Sequence, residues 1–135
     1  FDGREIRRLN PDERSTAALV RDALAEREAA IGRMPAENSP GVSIRRMGFE
    51  ATLSEVATDA TVVALHEDGA PVVDVAPPED PLFILSDHRD FTDSEASLVA
   101  STVDERVRLG PDVLHADHAV TVAHNYLDTA GYTAY

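Results

Sequence analysis

This sequence of 135 residues contains no cysteine, no tryptophan and no lysine. Without cysteine, the chain can form neither disulfides nor thiolate ligands. The longest apolar runs are a few residues, far short of the roughly 20 that a membrane-spanning helix needs. No signal-peptide pattern is present. The absences predict a cytoplasmic protein without a membrane segment, and the hydrophobic content of 43% is sufficient for the core of one domain over residues 1–135.

The charge is strongly one-sided, because 25 acidic residues face 12 basic ones, all of them arginine, for a net charge of −13. Such a charge ordinarily argues against a nucleic-acid partner, since binding to phosphates needs local positive charge. At molar salt, however, the Debye length is about 3 Å, so surface carboxylates are screened and serve mainly to hold water. The composition favours a protein of a halophilic archaeon over an ordinary acidic protein whose partner is not a polyanion.

The N-terminal part of the sequence predicts a long helix. Asn10 is the expected N-cap and Pro11 the first helical residue. The helix is expected to run to about Ile31, with Val20, Leu24 and Ile31 on one apolar face. The next glycine is expected to end the helix, and residues 35–41 are expected to form a loop.

Strands and helices alternate through the rest of the chain, which predicts a mostly parallel sheet with both faces covered. The apolar run at 61–65 reads as a buried strand closed by a turn at 66–69, and Thr92 to Glu95 form a capping box. The other expected elements are an extended segment at 42–46, helices at 49–57, 93–102 and 114–129, strands at 82–85 and 107–109, and a proline-rich loop at 76–81.

A bend at Gly110 and Pro111 lies between the last strand and the last helix. Open α/β sheets place their ligands at bends of this kind, at the carboxyl ends of the strands. Taken alone, the Gly-Pro pair indicates an ordinary turn. The surrounding motifs change that interpretation.

Several short motifs occur in a recognisable order along nearly the whole chain. They are Asn-Pro-Asp-Glu-Arg-Ser at 10–15, Ser-Pro-Gly at 39–41, Arg-Arg-Met-Gly-Phe at 45–49, Leu-His at 65–66, Ser-Asp-His at 86–88, Leu-His-Ala-Asp-His at 114–118 and His-Asn-Tyr-Leu-Asp at 124–128. Together they resemble the archaeal tRNA pseudouridine-54 N1-methyltransferases, members of the SPOUT class of RNA methyltransferases. The resemblance implies an α/β SPOUT fold with a mostly parallel sheet flanked by helices, a C-terminal trefoil knot and a homodimer.

The resemblance also implies S-adenosyl-L-methionine as the cofactor, held by three loops. Adenine needs aliphatic walls and backbone groups that bind its edge. For the leucines, ordinary core packing is the alternative. Ser86 stands where relatives often have glycine and adds bulk, whereas Ala119 replaces a frequent cysteine. The expected cofactor-binding residues are Leu65, Ser86, Leu109, Gly110, Pro111, Asp112, Val113, Leu114 and Ala119.

Asp12 is the candidate general base that removes the N1 proton of pseudouridine, and Arg14 is its candidate substrate-positioning partner. First-turn helix electrostatics is the favoured alternative for Asp12 and for Glu13. Arg45 and Arg46 are expected to contact RNA, since guanidinium groups bind phosphate through paired hydrogen bonds.

Two further sets of side chains admit more than one interpretation. For Arg4, Arg7 and Arg8, RNA contacts and surface salt bridges are equally acceptable. The five histidines resemble a metal set, but no third ligand at a known spacing joins His115 and His118. Structural roles are therefore favoured, and no metal is expected.

The sequence thus predicts a tRNA (pseudouridine-N1)-methyltransferase. Alternatives are a methyltransferase acting on pseudouridine in ribosomal RNA, a non-catalytic module of the same fold that binds RNA or a nucleotide, and a plain structural domain. The resemblance implies a further strand, helix and strand ahead of the position of Phe1. The chain is therefore expected to be the C-terminal two thirds of the family's domain, and this fragment could be inactive.

Overall fold

The structure is a computed structural model that describes residues 1–7, 9, 10 and 12–135. These residues form two compact units, 1–48 and 49–135. The first unit contains helix α1 and a hairpin, and the second contains a sheet and three helices. The elements are α1 (Glu13–Ala25), β1 (Ala36–Ser39), β2 (Val42–Ile44), α2 (Phe49–Val56), β3 (Thr61–Pro71), β4 (Pro81–Ile84), α3 (Asp93–Thr102), β5 (Glu105–Arg108) and α4 (Ala116–Asp128).

Helix α1 begins later than the sequence predicts, because Asp12 and not Asn10 is its N-cap. Asp12 has extended backbone angles, and its carboxylate accepts a hydrogen bond of 2.8 Å from the backbone N–H of Ser15. A short acidic side chain at this position satisfies a free N–H group and suits the positive end of the helix dipole. Pro11, the predicted first helical residue, lies outside the described residues.

The predicted end and apolar face of this helix are also wrong. The α-helix ends at Ala25, and a single 3-10 turn, Glu26–Glu28, follows it. Ile31 therefore lies beyond the helix, where it forms an isolated bridge with Met34. Helix α1 buries the small Ala23 against the first unit and leaves Val20 and Leu24 exposed.

The segment predicted as a loop at 35–41 contains a strand. Strand β1 pairs antiparallel with β2, and Ala36 lies opposite Ile44. Gly41 forms the turn between the strands with a φ of 75°, in the left-handed region that glycine enters without strain. The polar sequence of β1 carries no apolar alternation that would have revealed it, and only pairing with the more apolar β2 makes it a strand.

The second unit contains a three-stranded parallel sheet in the order β4, β3, β5. Its faces are covered by helices, as the sequence predicts. On one face, α2 and α3 contribute Leu53 and Val99 to a buried cluster with strand residues. On the other face, Tyr126 of α4 packs against Val63 and Val107. The prediction of an α/β fold with a parallel sheet flanked by helices is confirmed.

The predicted turn at 66–69 is wrong, because β3 continues through it with an irregularity. Leu65 and Ala70 both lie opposite Val107, so the four residues between them bulge out of the ladder. Gly69 allows the strand to resume, since a Cβ there would lie 2.5 Å from the backbone nitrogen of Val107. A glycine at this point lets two backbones approach, and the chain stays in the sheet instead of leaving it.

The remaining elements agree with the sequence within one or two residues. Thr92 and Glu95 form the predicted capping box of α3, and each side chain accepts a hydrogen bond from the other's backbone N–H. Helix α4 begins at Ala116, and three residues separate it from the bend at 110–112. Across the part of the chain that the structure describes, no helix is long and apolar enough to cross a membrane.

Candidate cofactor cleft

The carboxyl ends of the three parallel strands meet at one edge of the sheet in the second unit. The loop after β4, the loop after β5 and the bulge in β3 surround this edge. Two adjoining cavities of about 580 Å³ and about 140 Å³ lie between them. Both are lined by the bulge residues His66 and Glu67 and by Leu65. We call the two cavities together the cleft.

All nine residues predicted to bind the cofactor line this cleft, although they come from four separate segments of the chain. Leu65, Val113, Leu114 and Ala119 line both cavities. Ser86 lines the larger one. The others line the smaller one, and they are Leu109, Gly110, Pro111 and Asp112.

The cleft has the chemistry that a flat, mostly apolar ligand requires. Leu65 is half-buried and Ala119 is 7% exposed, so aliphatic groups form the wall nearest the sheet. The loop of residues 109–114 also lines the cleft, and Gly110 has no side chain to block access to its backbone groups. The larger cavity falls in the range of about 300–1,000 Å³ that is typical of small-molecule sites. These features fit an adenosine-containing cofactor.

Ser86 lies at the rim of the larger cavity and is tied to the loop after β4. Its Oγ donates a hydrogen bond of 3.3 Å to the carboxylate of Asp90, which also lines that cavity. Asp90 has a positive φ of 58°, a conformation that asparagine and aspartate tolerate better than most residues. The serine hydroxyl therefore has a partner within its own loop, and its bulk remains beside the cavity.

Sequence patterns missed five charged or polar residues that line the cleft, one of which is Asp90. His66 and Glu67 were assigned to a turn, and their place in the bulge brings them to the cavities. His66 Nδ1 accepts a hydrogen bond of 3.2 Å from the backbone N–H of Asp68, so the neutral ring carries its proton on Nε2. Arg106 lines the larger cavity and Arg108 the smaller. The alternation around buried Val107 could have revealed both arginines.

The predicted catalytic residues lie in the first unit. Asp12 is exposed, and hydrogen bonds with Ser15, through its side chain and its backbone, hold the pKa of the Asp12 carboxyl below its usual value. Arg14 is exposed on the first turn of α1. A groove of about 710 Å³ beside Asp12 is lined only by residues of α1 and its N-cap. Because it has no opposing wall in the first unit, it cannot enclose a ligand there.

The predicted RNA-binding arginines follow β2 in the first unit. Arg45 and Arg46 are exposed, and the backbone N–H of Arg46 donates a hydrogen bond of 3.1 Å to the carbonyl oxygen of Gly32. Arg4 and Arg7 are also exposed, whereas Arg8 lies outside the described residues. The histidine pair at the start of α4, His115 and His118, has ring centroids 6.3 Å apart. Within 1–7, 9, 10 and 12–135, no three potential metal ligands gather.

Comparison with known proteins assigns the family. A family model described as a putative SAM-dependent RNA methyltransferase matches residues 1–132. The tRNA (pseudouridine(54)-N(1))-methyltransferase of Haloferax volcanii is 76% identical over 135 residues, which are all of this chain and 68% of the relative. The enzyme of the same name from Haloarcula marismortui is 67% identical, with the same coverage. The chain belongs to this methyltransferase family.

The family assignment agrees with the fold. The solved structure of Archaeoglobus fulgidus Nep1 bound to S-adenosylhomocysteine is similar, with a TM-score of 0.58 and 17% identity. The match covers 90% of this chain and 51% of Nep1. At this identity the likeness establishes the fold alone, an α/β arrangement with a parallel sheet flanked by helices. The tRNA (pseudouridine(54)-N(1))-methyltransferase family to which the chain belongs thus shares its architecture with Nep1.

Proposed function

We propose that this protein methylates N1 of pseudouridine 54 in tRNA, with S-adenosyl-L-methionine as the methyl donor. The observation that carries the proposal is the convergence of four segments on one cleft in a chain of this family. The relatives' names supply the tRNA substrate. Because the substrate is tRNA, the protein acts in the cytoplasm.

In this proposal the nine cleft residues hold the cofactor. Leu65, Leu109 and Leu114 supply the walls for adenine, and the backbone of residues 110–113 binds its polar edge. Ala119 lets the cofactor approach helix α4, and Ser86 closes the larger cavity on the side of β4. When bound, S-adenosyl-L-methionine supplies the methyl group, whose bond to sulfur breaks as the bond to N1 forms.

The protein's own residues then position the nucleobase and accept its proton. N1 of pseudouridine carries a proton that must leave when the new bond forms. Asp12 is the proposed base, because it is the carboxylate of the Pro-Asp-Glu-Arg motif and a carboxylate within hydrogen-bond reach can accept this proton. Arg14, on the first turn of the helix that Asp12 caps, positions the substrate. Positioning supplies much of the rate acceleration, since holding the methyl donor and the acceptor in the reactive orientation makes a bimolecular step effectively unimolecular.

Four further features belong to the proposal. The chain is one methyltransferase domain over 1–135, in line with a single family model over 1–132, and its last helix forms a trefoil knot with the loop after β5. The protein is a homodimer, and the exposed Val20 and Leu24 of α1 supply apolar surface for such contacts. Arg45 and Arg46 bind the RNA backbone.

The first test is calorimetric binding of S-adenosylhomocysteine in about 2 M KCl, where the acidic surface is screened. We expect binding by the unaltered chain and none by Gly110→Trp, because indole fills the smaller cavity. Gly3→Trp is the matched control, since a Cβ at Gly3 meets no atom within 4 Å. Equal binding of ATP and S-adenosylhomocysteine would indicate a nucleotide-binding module and contradict the cofactor assignment.

The second test is methyl transfer to paired RNA substrates. A T-arm stem-loop with pseudouridine is compared with the same stem-loop carrying uridine, which lacks a free N1. We expect label only in the pseudouridine RNA. Equal labelling of both would exclude N1 of pseudouridine as the acceptor. Preference for a pseudouridine-containing ribosomal RNA fragment over the T-arm would contradict the tRNA assignment.

A further inference from the structure

The second unit has very few basic side chains, and their positions are not random. Residues 49–135 contain seventeen carboxylates and three arginines, which are Arg89, Arg106 and Arg108. Two of the three lie on one short strand, β5, and both line the cleft. In a chain so rich in carboxylates, surface salt bridges would scatter arginines over the surface. Their concentration on the strand beside the cleft therefore points to an anionic ligand.

The geometry of β5 places both arginines on the same side of the sheet. Val107, between them, is 2% exposed and packs with Val63 and Tyr126. Because successive side chains of a strand point to opposite faces, Arg106 and Arg108 both face away from that cluster. They are about 6.6 Å apart along the strand, at about 3.3 Å per residue. Two guanidinium groups at this spacing can bind neighbouring phosphates of one RNA strand.

The surroundings leave the two arginines available to a ligand. Strand β5 is an edge strand of the sheet, and both side chains are exposed. Among the described residues, neither guanidinium lies within 4.0 Å of a carboxylate, whereas Arg21 and Arg27 pair with the acids that follow them. At molar salt only direct contacts retain their strength, because the Debye length is about 3 Å. Distant carboxylates then repel RNA little, and an unpaired arginine at the rim can bind it.

We propose that Arg106 and Arg108 are a phosphate-binding pair that holds the RNA backbone at the mouth of the cleft. This inference rests on the proposed function, since that function makes RNA the ligand. A target nucleotide that reaches the bound cofactor must bring its backbone along the cleft, which both arginines of the edge strand β5 line. Guanidinium groups grip phosphate oxygens through paired hydrogen bonds. The pair is therefore a positioning device for the acceptor strand.

The test is the salt dependence of RNA binding. Affinity for a fluorescent T-arm stem-loop is measured by anisotropy between about 0.5 and 2 M KCl for the unaltered chain and for Arg106→Gln/Arg108→Gln. Each lost phosphate contact lowers the slope of log affinity against log salt by about 0.7–0.9. We expect the double variant to lower the slope by about 1.4–1.8 and the affinity by on the order of tenfold.

Two matched variants control for net charge and for geometry. Arg89→Gln removes the third arginine of the same unit, which lines neither cavity, and should leave the slope unchanged. Arg106→Lys/Arg108→Lys keeps both charges but loses the planar fork, so it should restore the slope and only part of the affinity. An equal fall in slope for Arg89→Gln would overturn the assignment, because net charge alone would then explain the effect.

Cofactor binding separates this proposal from its nearest competitor and from the proposed function. We expect the glutamine variant to bind S-adenosylhomocysteine within about twofold of the unaltered chain. A parallel loss of that binding would mean that the pair binds the cofactor's carboxylate, and the phosphate assignment would fail.

If the slope of log affinity against log salt does not change in the glutamine variant while pseudouridine RNA is still methylated, only the assignment of the arginine pair is wrong. If the slope falls but no RNA is methylated, the proposed function is wrong and the pair stands. Absence of RNA binding at every salt concentration would overturn both.

Discussion

The phenolic oxygen of Tyr126 donates a hydrogen bond of 2.8 Å to the backbone carbonyl of Val75, 51 positions earlier in the chain. Tyr126 is 2% exposed and lies at the centre of the cluster that joins α4 to the sheet. The bond thus fixes the helix that follows the cleft loop to the segment that follows β3. It couples the packing of the second unit to the position of α4, and so of Ala119, in the cleft.

Tyr126→Phe should remove this bond and leave the ring in place. Because the partly buried carbonyl of Val75 then lacks its partner, we expect the free energy of unfolding to fall by about 1 kcal/mol. Urea unfolding monitored by circular dichroism measures the change. Tyr135→Phe is the control, since Tyr135 is 98% exposed, and it should change stability by less than about 0.5 kcal/mol. Equal stability of the two variants would mean that the bond contributes nothing measurable.

The same tyrosine makes stability depend on pH at the alkaline end. Burial, and then the nearby charge of Glu105, raises the pKa of Tyr126 above its ordinary value of 10.0. The phenol is therefore neutral in the folded chain at a pH where it ionises in the unfolded chain. The contribution of Tyr126 to the free energy of unfolding is therefore complete below about pH 10 and is lost as pH rises through the raised pKa.

We expect the unfolding free energy to fall as pH rises above about 10, and to fall less steeply in Tyr126→Phe. Part of the slope should remain, because burial also raises the pKa of Tyr132. Unfolding curves at several pH values test this expectation. Parallel pH profiles for the variant and the unaltered chain would show that Tyr126 does not titrate differently on folding.

The apolar runs at 61–65 and 82–85 and the capping box at Thr92 were sufficient to predict the sheet and α3, because burial and capping leave local patterns. The bulge after Leu65 could not be predicted, since His66 to Gly69 has the composition of a turn. Its cause is a contact with β5, about forty residues away in sequence. Long-range pairing of this kind produces no pattern in the local sequence from which it could be predicted.

The first unit was predicted less well for a related reason. The apolar spacing of Val20, Leu24 and Ile31 indicates a helix face, yet the described structure exposes all three. Periodicity shows that a face exists but cannot show whether anything in the same chain covers it. For the second unit, by contrast, the resemblance of short motifs named nine cofactor candidates, and the structure brings all nine to one cleft. Arg106 and Arg108 could be recognised as cleft residues only from the fold.

Gly69→Ala tests the close approach of β3 to β5. A Cβ at this position would lie 2.5 Å from the nitrogen and 2.6 Å from the carbonyl carbon of Val107, so one backbone must move. We expect a loss of at least about 2 kcal/mol in unfolding free energy. Binding of S-adenosylhomocysteine should weaken as well, because the bulge lines both cavities. Gly3→Ala is the control, since its Cβ meets nothing within 4 Å. Unchanged stability in Gly69→Ala would contradict the bulge geometry.

Thr92→Ala tests the capping box of α3. The backbone N–H of Thr92 donates to Glu95 at 2.9 Å, and its hydroxyl accepts from the N–H of Glu95 at 3.4 Å. Loss of the hydroxyl should lower the free energy of unfolding by about 1 kcal/mol, and Thr92→Ser should restore most of that loss.

The backbone and side chain of Thr92 also hold the pKa of the Glu95 carboxyl below its usual value. The stabilisation by ionised Glu95 is therefore present above the ordinary pKa of a glutamate and is lost as pH falls through the lowered pKa of Glu95. Urea titrations at neutral and acidic pH would reveal both effects, and a pH-independent cost would contradict the link.

Asp12 combines two possible roles that one pair of substitutions separates. As N-cap it accepts the Ser15 N–H, and as proposed base it accepts the N1 proton. Asparagine caps helices about as well as aspartate but cannot act as a base. We expect Asp12→Asn to keep the unfolding free energy and to lower kcat by on the order of 10²-fold, whereas Asp12→Ala should lower both the unfolding free energy and kcat.

Because hydrogen bonds with Ser15 lower the pKa of Asp12 from 3.8, its carboxylate is ionised in all neutral buffers. The rate should therefore show no fall attributable to Asp12 between about pH 5 and pH 8. If Asp12→Asn methylates pseudouridine RNA within about twofold of the unaltered rate, Asp12 only caps the helix, because a catalytic base contributes about 10²-fold or more.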